Sequence, residues 1–134
     1  MDTIRTADNR AFIEQVINRF ASQPIKLFLP SDLQVWCYEH GMSQSVRHAV
    51  AVKCNATGKW GIVIGSEFST SAIESIVTGM EFRGFNQARQ LTKNHQLFLA
   101  HLVLHELAHL EHDWNQDMES ACDEWAFQKL DIAL

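Results

Sequence analysis

The chain has 134 residues, of which 46% are hydrophobic and 20% charged, with a formal net charge of -5. This suits one soluble globular domain with its own core, and the mild acidity argues against nucleic acid as a main partner, because phosphate contacts need a basic patch. The N-terminus lacks the basic and apolar regions of a secretory signal, and no run of about 18 uncharged apolar residues exists, so a cytoplasmic protein without a membrane span is expected. Cys37, Cys54 and Cys122 are odd in number and widely spaced, with no C-x-x-C pair. They are expected to be reduced thiols, acting mainly as small buried hydrophobes.

Along the chain, residues 8–21 place Phe12, Ile13, Val16, Ile17 and Phe20 on one face of a predicted helix. Asp8 is its expected N-cap, and Pro24 lies beyond its end. Pro30, Ser31 and Asp32 read as a turn, and residues 33–38 fit either strand or helix before Gly41 breaks them. Residues 48–54 and 60–64 are β-branched or alternating, and Asn55-Ala56-Thr57-Gly58 between them is turn-like, so a β-hairpin is predicted. Ser71 and Glu74 suggest a capping box for a short helix over 69–77, and the stretch after Gly79 reads as irregular or extended. The pattern changes from about Leu91, and Leu97, Phe98, Leu99, Leu102, Val103, Leu104, Leu107 and Leu110 are apolar on nearly all sides, as in a helix buried in the core. A last helix is expected over 116–130, with Asn115 as N-cap and Asp117 and Glu119 in its first turn. With no repeat or linker, residues 1–134 form a single domain in this reading.

The chemistry concentrates in His105-Glu106-Leu107-Ala108-His109. Positions four apart share a helix face one turn apart, so both imidazoles can reach one metal ion. Zinc accepts neutral imidazole nitrogen, and a catalytic site needs three protein ligands and an open position. Glu106 sits about 100° round the helix from His105, placed to act as general base toward water whose pKa zinc lowers toward about 7. Two histidines and a glutamate in so apolar a helix would be costly without a partner, which a metal would supply. Downstream, Glu119 and Asp123 share a face of the last helix. Glu119 can serve as third ligand and Asp123 can orient a ligand histidine, with Glu124 and Asp117 as rival ligands. His101 and His112 share the face of His105 and His109. Three ligands from one straight helix would strain a tetrahedron, so they are read as cleft residues or companions of the ligands. Tyr38, His40 and His95 are candidates for stabilising an oxyanion, and the hairpin offers a sheet edge for an extended peptide.

The H-E-x-x-H helix followed by Glu119-x-x-Cys122-Asp123-x-x-Ala126 resembles the gluzincin peptidases, and most of all the ImmA/IrrE family and the Lit-type phage-exclusion peptidases. The resemblance covers about the last third of the chain. It departs in a short connection, residues 110–118, and in Cys122 where a small Ala is usual. It implies an α+β, minimal zincin-like domain, with a small antiparallel sheet packed on the active-site helix and a glutamate helix after it. It implies a zinc-dependent metallopeptidase acting on a protein or peptide, with His105, His109 and Glu119 as ligands, Glu106 as base and Asp123 behind a ligand. The alternative is a non-catalytic or latent regulatory domain of the same fold that binds a protein partner, in a stress or phage-defence setting.

Overall fold

The structure, a computed structural model, describes residues 3–30, 32, 48–53 and 57–130. Helix α1 (Arg10–Phe20) buries Ile13 and Ile17, as its spacing predicts. Its start is corrected: Asp8 lies inside a 3-10 turn, Thr6–Asn9, and Asn9 is the N-cap, without a side-chain cap bond.

Five strands are described: β1 (Ile4–Arg5), β2 (Ile25–Phe28), β3 (Ala49–Lys53), β4 (Trp60–Ile64) and β5 (Glu67–Phe68). The predicted hairpin is β3 and β4, antiparallel with Ala51 opposite Ile62, and its turn residues 54–56 lie outside the described residues. The wholly antiparallel sheet is a correction. On its other side β4 pairs with β2 in parallel, giving the order β2-β4-β3. The reason is that Gly61, Ile62, Val63 and Ile64 are all buried, so β4 is a central strand that needs partners on both edges. A side chain at Gly61 would meet the Phe28 ring 2.5 Å from its Cβ, so glycine allows β2 to close against β4. β1 and β5 form a separate antiparallel pair.

Helix α2 (Thr70–Phe82) is capped by Ser69, whose hydroxyl accepts from the Ala72 N–H at 3.1 Å, not by the expected box of Ser71 and Glu74. It also runs on through Gly79. Its stop is Gly84, at φ 99°, where the Phe85 N–H donates to the Met80 carbonyl and the Gly84 N–H to that of Glu81. This is a Schellman ending, which favours glycine at the left-handed position. A 3-10 segment, Asn86–Lys93, leads to helix α3 (His95–Glu111), capped by Asn94. Leu99, Val103, Leu104 and Leu107 of α3 are fully buried, and α3 packs against α1, β3 and α4 (Glu119–Lys129). At about 1.5–3 kcal/mol for each large apolar side chain removed from water, this burial fixes α3 and thereby its polar residues. The molecule is an α+β fold, and no helix among the described residues is long and apolar enough to cross a membrane.

Candidate metal centre

His105 and His109 lie one turn apart on α3, their ring centroids 5.2 Å from each other. The chain then reverses tightly. Asp113 takes the left-handed conformation at φ 52°, and Asn115 caps a 3-10 turn, Gln116–Met118, through the Asp117 N–H. The short connection therefore delivers Glu119 as the first residue of α4, against the histidines. Its Oε2 lies 2.8 Å from His105 Nε2 and its Oε1 3.0 Å from His109 Nε2.

Behind the rings, both Nδ1 atoms are engaged. His105 Nδ1 lies 2.7 Å from Asp123 Oδ1, and His109 Nδ1 lies 2.7 Å from the Trp114 carbonyl oxygen. A carbonyl and a carboxylate can only accept, so both Nδ1 atoms carry the proton. In the neutral rings each Nε2 is then a lone pair directed at a carboxylate, acceptor against acceptor. A positive species must stand between them: a proton on each Nε2, or one metal ion. With protons in that role, the His109 ring is raised to about 11, by Cys122, Glu119 and the Trp114 carbonyl against the opposing effect of burial. Burial works to lower His105, but its bonds to Asp123 and Glu119 prevail and raise it to about 10. Glu119 is held well below the usual carboxylate range by the two histidines. Two imidazole nitrogens and a carboxylate converging on one point, with tautomers fixed from behind, are a donor set suited to zinc.

Glu106 and His105 are each 8% exposed. The Glu106 carboxylate lies 4.0 Å from His105 Nε2, and burial pushes its pKa up. Two hollows, of about 350 and 190 Å³, adjoin this point and share Ala49, Glu106 and Glu119 in their linings. A groove therefore passes along β3 on both sides of the histidines.

The other predicted residues are placed as follows. Glu124 and Asp117 are exposed, whereas Glu119 is half-buried against the two rings. His101 is buried beside Asp123, its Nε2 3.7 Å from Oδ1, and burial lowers it to about 4, so it is neutral. His112 stacks on Trp114 at 4.2 Å, away from the cluster. His95 begins α3, ten residues or about 15 Å of helix before His105, which removes it as an oxyanion candidate. Tyr38 and His40 lie outside the described residues. Sequence reasoning missed two groups. The Arg83 guanidinium, at the end of α2, binds Asp123 Oδ2 at 2.5 Å, and the Trp114 carbonyl, a backbone group, carries no side-chain signal. It also gave Cys122 only a packing role, whereas its sulfur and one ring nitrogen each of His105 and His109 lie within 4.8 Å of one another.

Comparison with protein families, with curated proteins and with solved structures finds no match to this chain.

Proposed function

We propose that this protein is a zinc-dependent peptidase of the zincin type, in which His105, His109 and Glu119 hold the metal and Glu106 is the general base. The observation that carries this reading is the convergence of two Nε2 atoms on the Glu119 carboxylate while both Nδ1 atoms are anchored as donors. Bound zinc would polarise the scissile carbonyl and acidify water in the groove. Asp123 and the Trp114 carbonyl keep the two ligand nitrogens unprotonated and aimed once the metal is present. Glu106 is next to His105 and faces the same hollow, so it can take a proton from the attacking water and return it to the leaving amine. Its raised pKa brings it nearer the working pH, which suits a group that must both accept and donate.

The substrate class is supported by β3. The Gly65 N–H donates to the His48 carbonyl, so the alternation of the antiparallel ladder turns His48, Val50 and Val52 toward β4. The backbone groups of Ala49, Ala51 and Lys53 point the other way, where the Ala51 backbone meets the Glu106 carboxylate, and all three residues line the larger hollow. An extended peptide can add to that edge as a further strand, crossing Glu106 and the histidines.

The test is hydrolysis of a mixed protein substrate with and without a chelator, by the wild type and by Glu106→Gln. Glutamine keeps the shape but cannot accept the proton. Chelation should stop cleavage, and Glu106→Gln should keep its metal while losing a factor of about 10²–10⁴ in rate. Wild-type rates in that variant, or cleavage indifferent to chelation, contradict the proposal.

A further inference from the structure

Cys122 lies three residues after Glu119 on α4, so the two share the helix face turned toward α3. It is fully buried. A thiol serving only as a small hydrophobe would be surrounded by apolar side chains, yet this one stands among the ligand atoms of His105 and His109, all mutually within 4.8 Å. Zinc bonds of about 2.0–2.1 Å to nitrogen and about 2.3 Å to sulfur put tetrahedral neighbours about 3.3–3.6 Å apart. The upper bound of 4.8 Å among the sulfur and the two nitrogens leaves about 1.2–1.5 Å to close to that spacing. Glu119 reaches both rings at Nε2, so a carboxylate and a thiol stand against the same two histidines.

We propose that Cys122 is a fourth metal donor, its thiolate joining His105, His109 and Glu119 around one zinc ion and closing the site in the resting protein. On binding, the S–H proton passes to solvent and a sulfur–metal bond forms, with no change of oxidation state. The inference rests on the metal reading above and adds a regulatory element to it. Three donors leave a position for water, whereas four fill the tetrahedron. The sulfur must therefore leave the ion before water can reach it, which makes Cys122 a latch on hydrolysis. A thiolate in the set also biases the site toward zinc and other soft ions over magnesium or calcium.

Cobalt(II) added to the metal-free full chain reads this directly, because a thiolate ligand gives a sulfur-to-cobalt charge-transfer band in the near ultraviolet beside the visible bands of the ion. The wild type should show that band. Cys122→Ala and the nearly isosteric Cys122→Ser should bind cobalt without it, and their zinc affinity, measured by competition with a chromophoric chelator, should fall at least about tenfold, no less than removing a group behind a ligand. If the alanine variant fails to fold, the serine variant gives the result. A chain with both Cys37 and Cys54 replaced by serine should keep the band. Cobalt bound by the wild type without the band, a band that persists in the Cys122 variants, or a band lost with Cys37 and Cys54 overturns the role of Cys122 and leaves the metal site standing. A wild type that binds no cobalt overturns the metal site itself.

Discussion

Two charge clusters in this molecule have similar bond lengths and opposite settings. On the surface, Arg89 grips Glu74 with bonds of 2.6 and 2.7 Å and also binds Glu81. In the interior, Asp123, 2% exposed, binds Arg83 on one side and His105 on the other. The Arg89 cluster lies in water, which screens its charges and competes for each group, and exposed pairs of this kind add little to stability. Asp123 has given up water. Burial works against its charge, but the bonds and fields of His105, His101 and Arg83 outweigh that and hold its pKa below the ordinary value. Breaking such a buried group leaves its partners uncompensated. Short contacts therefore do not identify the site, whereas burial of charge against a fixed tautomer does.

This difference predicts a graded series. Glu119→Ala should have the largest effect, loss of nearly all zinc binding, because it removes a negatively charged donor; elemental analysis after dialysis checks this. Asp123→Ala should weaken zinc binding by roughly 10–100-fold and cost the metal-free protein about 3 kcal/mol in denaturant unfolding, since His105 and Arg83 lose their shared acceptor. Glu124→Ala, on the exposed side of the same helix, should leave zinc binding unchanged. Zinc lost in Glu124→Ala and kept in Glu119→Ala would reassign the third ligand.

The metal-free protein should also carry the signature of the two histidines in its pH dependence. Both rings are raised from an ordinary value of 6.5, to about 10 and about 11. A raised pKa means that the folded state binds more protons than the unfolded chain between those limits, so stability falls as pH rises through that window. The contribution should be complete below about pH 6.5 and lost by about pH 11. Chemical unfolding of the metal-free protein at a series of pH values measures it, and flat stability from pH 7 to 10 would contradict protonated rings facing Glu119. The smallest effect belongs to Arg89→Ala, which should leave zinc binding untouched and lower the melting temperature only slightly.

What the sequence made legible divides by range. His105, Glu106 and His109 are a local pattern, readable from helical spacing alone. Glu119 and Asp123 are also local to one helix, but their meeting with α3 is tertiary: spacing left Glu124 and Asp117 as rivals, and the likeness to glutamate helices pointed to Glu119. Arg83 was not legible because its position depends on where α2 ends. Gly79 looked like the terminator, yet a glycine inside a helix costs only about 1 kcal/mol relative to alanine, and the stop is Gly84, whose positive φ the Schellman bonds require. β2 escaped because parallel pairing joins segments distant in sequence and leaves no hairpin signal. The core helix was plain, since its leucines surround it, whereas its 3-10 approach, Asn86–Lys93, buries only Ala88 and Leu91, three apart, too few apolar positions to mark an element.

The central claim is that one metal ion replaces the protons between two histidines and Glu119. Calorimetric titration of metal-free protein with zinc at neutral pH, repeated in buffers of different ionisation enthalpy, measures stoichiometry and proton release together. The account predicts one ion per chain with at least two protons released, one from each ring, and no such site in His105→Ala or His109→Ala. A folded wild-type protein that takes up no zinc, or takes it up without releasing protons, would contradict it.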